Sequence, residues 1–369
     1  MDLSEFLLAW RTTPLPDREV IDALVHPAHA APSVALAAAL ARWPGSYYWS
    51  DEPAGRHLVL TRPLGRRRER WGLHLGLLLL TFYTVTFAGA VIASAIPYTG
   101  PLVFFTRSHA GDPGFWSSWA TGLRFSVPLI AILLCHELGH YLVARRYQLD
   151  VSPPYFIPAP MLPTFIGTMG AFIRLRTIVS DRRQLLDVGA AGPIAGFLVA
   201  LPVFVLGLLM SHAAAPVEGV RGLVVYFGDV PQIPLGDSLL TLALRHWLLG
   251  PATLISVDPI AFAGWVGLLV TMLNLVPMSQ LDGGHVLYAA LPGWHRRIAL
   301  GFWTLILGLG WYWWGWLVWG FLVLALSRGR LNHPSVLDTQ RPLPPSRRAL
   351  AWAVLGLFLL TFAPVPFRI

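Results

Sequence analysis

The chain has 369 residues, 55% of them apolar and only 12% charged, with a mean hydropathy of +0.58. A soluble protein of this length carries about twice that charged fraction, so the composition excludes an ordinary soluble enzyme and implies a polytopic membrane protein. The formal charge is +8 and every basic residue is an arginine, but these arginines gather at the ends of apolar runs, where they set orientation, and nucleic acid is set aside as a partner.

Residues 1–70 differ in kind from the rest. They mix charges with short apolar pieces such as Val34–Leu40 and a strand-like His57–Thr61, which predicts a small soluble α/β module with a modest core. The opening Met1-Asp2-Leu3-Ser4-Glu5 has neither a basic n-region nor a small-residue cleavage site, so no secretory or transit peptide is expected. The single cysteine, Cys135, allows no internal disulfide.

After the cluster Arg66–Arg70 comes an uncharged run from Trp71 to Pro97 that contains His74. Further apolar runs lie near 125–144, 188–211, 259–278, 299–327 and 349–364. With the 66–70 cluster placed in the cytoplasm, the flanks at 66–70, 145–146, 174–183 and 296–297 carry twelve arginines. The opposite loops, about 98–124 and 212–257, carry four: Arg107, Arg124, Arg221 and Arg245. The positive-inside rule therefore puts the amino terminus inside. The run 299–327 is about 43 Å as one helix, long for one span and short for two. A hairpin turning near Gly310–Gly315 is favoured over one long tilted helix, with Trp311, Trp313, Trp314 and Trp316 as an interfacial belt. The expected fold is an all-α polytopic membrane protein of six or seven transmembrane helices with a Pro/Gly-rich re-entrant segment, behind the soluble module at 1–70. Residues 71–369 form the membrane domain, with a core at about 125–290.

Between Phe125 and Ala144 the only ionisable side chains besides Cys135 and Tyr141 are His136, Glu137 and His140. That stretch would span roughly 30 Å as a helix, the thickness of the hydrocarbon core, where an uncompensated charge is costly. Positions i and i+4 share a helix face, so both imidazoles can reach one metal ion, and Glu137 can reach a water on that ion without binding it. Two histidines and a glutamate satisfied by neighbouring helices is the bland alternative. A distant third ligand is needed, and Asn274-Leu-Val-Pro-Met-Ser-Gln-Leu-Asp282-Gly-Gly offers Asp282 at a bend, with Pro277 and Gly283-Gly284 breaking the helix. Asp282 alone reads as a turn residue. Topology favours more, because the 125–144 and 259–278 helices both run from outside to inside and bring their chemistry to the cytoplasmic half.

In these two segments, His136 to His140 and Asn274 to Gly284, the chain resembles the site-2 protease-like intramembrane zinc metalloproteases, peptidase family M50. The resemblance covers roughly residues 125 to 290. It implies one zinc ion held by His136, His140 and Asp282, with Glu137 as general base. It also implies hydrolysis of peptide bonds in or near the transmembrane segments of membrane proteins, as in regulated intramembrane proteolysis. A regulatory PDZ-like insertion is not seen. Asn274 is expected to hold substrate backbone or the oxyanion, with helix packing an equal alternative.

The segment Val151–Gly170 holds five prolines and cannot be a regular helix. It is expected to dip toward the site and offer an edge, at Gly167, Thr168, Met169 and Gly170, to an unwound substrate strand; a plain cytosolic loop is the alternative. Gly192-Pro193-Ile194-Ala195-Gly196 is read as small-residue helix packing without chemistry, and His285 as an outer or interfacial residue. The expected partners are a transmembrane protein substrate and the lipid bilayer, in a bacterial plasma membrane with the site toward the cytoplasm. A zinc-binding, chaperone-like homologue without activity is the competing reading, against which the presence of Glu137 argues.

Overall fold

The computed structural model describes residues 3–14, 18–31, 33–52, 55–63, 69–93, 113–159, 166–176, 179, 181–215, 217, 220–227, 230–250, 254–333, 336 and 342–368. Arg66–Arg68, the loop 98–112 with Arg107, and the prolines at 160 and 163 lie outside the described residues.

The amino-terminal strands β1 (Leu7–Pro14), β2 (Arg18–Val25), β3 (Tyr47–Glu52) and β4 (Gly55–Pro63) form an antiparallel sheet in the order β1-β2-β4-β3. The predicted strand at His57–Thr61 is the middle of β4. Helix α1 (Val34–Ala41) starts where the Ser33 hydroxyl accepts the Leu36 N–H at 3.2 Å. Its Leu36 and Leu40 pack with Leu58, Leu60, Trp43 and Phe6 in a small core.

Among the described residues three helices are long and apolar enough to cross a membrane: α2 (Trp71–Ile92), α3 (Pro113–Arg146, apolar from Trp119) and α4 (Arg182–Met210). Their outward faces stay apolar, with Leu79, Leu198 and Leu206 each more than half exposed. Such rows suit lipid rather than water. Helix α4 is central and packs against α3, α6 (Pro259–Asn274) and α7 (Asp282–Ala290). Between α2, α3, α4 and α6 lies a core that includes Phe125, Leu129, Ile132, Phe204, Phe262 and Val266. Helix α6 begins at Asp258, whose carboxylate caps Ile260 N–H and pairs with Arg124 of α3 at 2.6 Å. That contact fixes where α3 and α6 stand along one another.

Several expectations need correction. The structure is predominantly helical but carries two further sheets, so the membrane portion is not all-α. The stretch 212–257, expected as a loop, holds β7 (His212–Ala213), β8 (Gly222–Phe227), β9 (Val230–Pro234) and β10 (Leu254–Ser256) in the order β7-β10-β8-β9, with α5 (Leu239–Leu249) between β9 and β10. These strands are too short to show a period of two. The segment 151–170 forms part of a hairpin, β5 (Tyr155–Pro158) with β6 (Thr168–Phe172). Gly283 and Gly284 do not break a helix; they lie in the first turn of α7. A Cβ on them would meet the Leu275 carbonyl oxygen at 1.9 Å and that of Met278 at 2.5 Å, so their bareness permits close approach to the 275–281 turn.

The hairpin expected in 299–327 is present as α8 (His295–Leu309) and α9 (Gly315–Leu326), with Gly310 against Leu317 and Gly320 against Ile306. The tryptophan belt is only half realised. Trp311 and Trp314 are exposed, whereas Trp316 is fully buried and donates its indole N–H to Pro364 O at 2.7 Å.

After this hairpin, α10 (Pro345–Thr361) starts at the same end of the bundle as α4 does. Arg347 pairs with Asp187 at 2.7 Å, and Asp187 accepts the Tyr147 hydroxyl at 2.6 Å just beyond α3. Near α2, Arg176 holds Glu69 through two guanidinium nitrogens at 2.5 and 3.1 Å, and its own carbonyl accepts from Arg18 at 2.9 Å. The hydrogen bond from Arg176 holds the Glu69 carboxyl below its usual range, against the opposing effect of burial. A carboxyl depressed by folding contributes stability above its unfolded value of about 4.3, and loses it as pH falls through the folded value. Thermal melting between pH 7 and 3 is therefore expected to drop less steeply in Glu69→Gln than in wild type. Identical slopes would remove this pair from the acid response.

Candidate metal centre

Helix α3 carries His136, Glu137 and His140, all buried, with 4, 5 and 6% of their surface exposed. Asp282 enters as the first residue of α7. Its Oδ2 lies 3.3 Å from His136 Nε2 and 3.2 Å from His140 Nε2, and the two Nε2 atoms are 3.2 Å apart. A tetrahedral ion with bonds of roughly 2.0–2.1 Å needs ligand–ligand edges of about 3.3 Å. The triangle fits. Two imidazoles and one carboxylate are zinc's donor chemistry, and this is the one such group among the described residues.

The ring of His140 is set by its Nδ1, which lies 2.7 Å from the Val188 carbonyl of α4. Donation to that oxygen leaves Nε2 as the lone-pair face toward Asp282 and His136. Space for both rings comes from α4. A Cβ at Gly192 would lie 2.0 Å from His140 Nε2, and one at Gly196 would lie 3.0 Å from His136 Nδ1. Gly139 of α3 in turn abuts the Ala191 carbonyl. The sequence reading gave this Gly-Pro-Ile-Ala-Gly stretch packing alone. A signal was available: Gly192 and Gly196 have the same four-residue spacing as the histidines they face.

The backbone N–H of Ile173, the residue after β6, lies near the Glu137 carboxylate. The hairpin therefore ends beside the candidate base. Asn274, the last residue of α6, places Nδ2 3.3 Å from His136 Nε2, so the structure brings it to the centre. Gly167, Thr168, Met169 and Gly170 lie on or just before β6. Gly167 has φ +79° and presses on α2, where the Thr84 hydroxyl donates to its carbonyl at 2.6 Å. Thr168 is buried and ties the hairpin to itself, its hydroxyl donating to Ile157 O at 2.8 Å. Met169 is 60% exposed, and Gly170 has open space where a side chain would stand. Sequence reasoning gave no role to His74, which anchors the other strand: its Nδ1 meets Pro154 O at 3.1 Å and its ring lies on Tyr155.

The fold and site define a membrane protein with a buried two-histidine, one-carboxylate metal centre and a carboxylate beside it. The model of peptidase family M50 matches residues 124–304, and the chain belongs to that family of site-2 protease-like proteins. It is 32% identical to probable zinc metalloprotease EGY2, chloroplastic, of Arabidopsis thaliana, over 67% of this chain and 42% of the relative. It is also 32% identical to probable zinc metalloprotease EGY1, chloroplastic, of the same plant, over 78% and 52%. A rice (Oryza sativa subsp. japonica) protein named EGY1 is 33% identical over 64% and 41%. The chain thus spans about half the length of the curated relatives it matches. No solved structure matches it. The donor set and the family together make zinc the ion of this centre.

Proposed function

We propose that the chain is an intramembrane zinc metalloprotease that hydrolyses peptide bonds in or near transmembrane segments of other membrane proteins. The observation that carries this reading is the buried donor triangle of His136, His140 and Asp282 with the Glu137 carboxylate beside it on the same helix. When bound, zinc supplies Lewis-acid polarisation of a carbonyl and acidification of water. Every other part belongs to the chain. His136, His140 and Asp282 are the ligands, and the Val188 carbonyl holds the His140 ring in its working tautomer. Glu137, next to the Ile173 N–H, takes the proton of the attacking water and returns it to the leaving amine. Asn274 offers an amide N–H₂ on the His136 side of the centre to the substrate carbonyl.

A helical substrate hides its carbonyls in its own hydrogen bonds, so it must be extended before attack. Strand β6 pairs with β5 on one side only among the described residues, and Met169, Gly170 and Ala171 present the other edge. An unwound segment adding to that edge runs toward Ile173 and hence toward Glu137. In this proposal the hairpin is the re-entrant element. The apolar helices together make six or seven spans, residues 1–70 form a soluble module ahead of the protease domain at 71–369, and the arginine excess turns the site toward the cytoplasm of a bacterial plasma membrane.

The test is reconstitution of the full chain in liposomes with tagged single-span proteins, using photo-crosslinking residues at 169, 170 and 171. Cleavage that stops with a zinc chelator and returns with added zinc is expected, together with crosslinks from the β6 edge. Absence of cleavage across a broad panel would favour the inactive zinc-binding reading. Cleavage without any crosslink would reject the edge.

A further inference from the structure

We propose that the segment Arg328–His333 is a strap that positions Asp282, with His333 as its anchoring residue; the proposal rests on the zinc centre described above. Asp282 follows a turn, 275–281, in which Leu275, Val276 and Met278 are buried and the Leu281 N–H donates to Met278 O at 3.2 Å. Within it Ser279 has φ +51°, an uncommon backbone for a residue with a Cβ. The strap leaves α9 through two left-handed residues, Arg328 at +54° and Gly329 at +75°, which turn the chain back over α7.

It then makes contact on both sides of Asp282. The Ser279 N–H donates to Leu331 O at 2.9 Å. His285 Nδ1 and His333 Nε2 lie 2.7 Å apart, and the Tyr288 ring stacks on His333 at 4.6 Å and 24°. The opposite side of α7 is closed by α4, where a Cβ at Gly189 would meet His285 Cβ at 2.8 Å. Helix α7 is therefore held between α4 and the strap. The strap also shares the lining of a cavity of about 530 Å³ with Gln280 of the turn and with Arg296 and Leu300 of α8.

The His285–His333 distance decides what the pair is. At 2.7 Å it is shorter than the edge of about 3.3 Å that two nitrogens on one tetrahedral ion require, and it suits an N–H donated from one ring to the other. His333 is a positioning residue rather than a ligand of a second ion. Its effect reaches zinc through α7, because Asp282 Oδ2 must stay within a few tenths of an ångström of its place to complete the triangle.

The experiment measures zinc affinity by chelator competition, zinc stoichiometry by elemental analysis, and melting of the zinc-free chain. His333→Ala is expected to weaken zinc binding about 10- to 100-fold, the range for partners that orient ligands. Stoichiometry at saturation stays at one, and zinc-free melting is unchanged. His333→Gln, which keeps a hydrogen-bonding group, restores affinity to within about threefold, and the exposed Asn332→Ala leaves it at wild type. Unchanged affinity in His333→Ala overturns the strap. So does a second ion lost in that variant, or a fall in zinc-free melting that His333→Gln does not rescue. Failure of the wild-type chain to bind zinc at all would instead defeat the metal centre.

Discussion

Replacing Glu137 with glutamine is expected to lower the cleavage rate about 10²- to 10⁴-fold, the usual contribution of a positioned general base, while zinc content stays at one ion per chain. At 1.36 kcal/mol per tenfold, this is roughly 3–5 kcal/mol of transition-state stabilisation. The substitution isolates proton transfer because it changes little else. Glutamine is nearly isosteric, and its carbonyl oxygen can face the nearby Ile173 N–H as the carboxylate does. The residue is buried, with 5% of its surface exposed, so the amide stays where the carboxylate was rather than turning into water. Glu137 is also outside the donor triangle of His136, His140 and Asp282, so zinc should remain. Initial rates in liposomes, with elemental analysis of the same preparation, read both quantities. An unchanged rate would mean that another group moves the proton. A lost ion would mean that Glu137 is a ligand.

Parts of this site were legible in the chain because they are local. His136, Glu137 and His140 fall in five consecutive positions, and helical periodicity alone puts the two imidazoles on one face. Asp282 is 142 positions beyond His140, and the direction of the intervening helices drew it toward the same depth. What stayed hidden depends on a neighbour. The roles of Gly192 and Gly196 appear only when α4 is laid antiparallel to α3, so that Gly192 meets His140 and Gly196 meets His136. His74 looked like a stray polar group in an apolar run until the Pro154 carbonyl and Tyr155 came to it from 80 residues away. His333 lies in a short segment with no periodicity, and its partners are fixed by tertiary structure alone. Strands β7 to β10 escaped for a related reason. Pieces of two to six residues give too few alternations to separate a strand from a loop, and β10 reaches both β7 and β8 only because α5 brings the chain back.

The pairing of glycines with imidazoles makes a second large effect predictable. Gly192→Ala adds one methyl group, whose carbon would stand 2.0, 2.3 and 2.5 Å from three atoms of the His140 ring. Ordinary contact needs more than 3.4 Å, so ring or helix must shift by over an ångström, whereas a metal–ligand bond tolerates about 0.2 Å. The ring cannot swing away freely, since its Nδ1 is fixed 2.7 Å from Val188 O on the same helix. Zinc affinity should fall at least 100-fold, and cleavage with it. Local propensity points the other way: alanine in a helix interior is favoured over glycine by about 1 kcal/mol. If Gly192 did not make room for the His140 ring, the alanine variant would gain stability and bind zinc as tightly as the wild type. Gly196→Ala provides the graded comparison. Its nearest contact, 3.0 Å to His136 Nδ1, asks for a few tenths of an ångström, and its loss of affinity should be much the smaller. Chelator titration of the two variants beside the wild-type chain measures the order. Equal affinities in all three would mean that α3 and α4 do not meet at this register, and the donor triangle would lose the wall that shapes it.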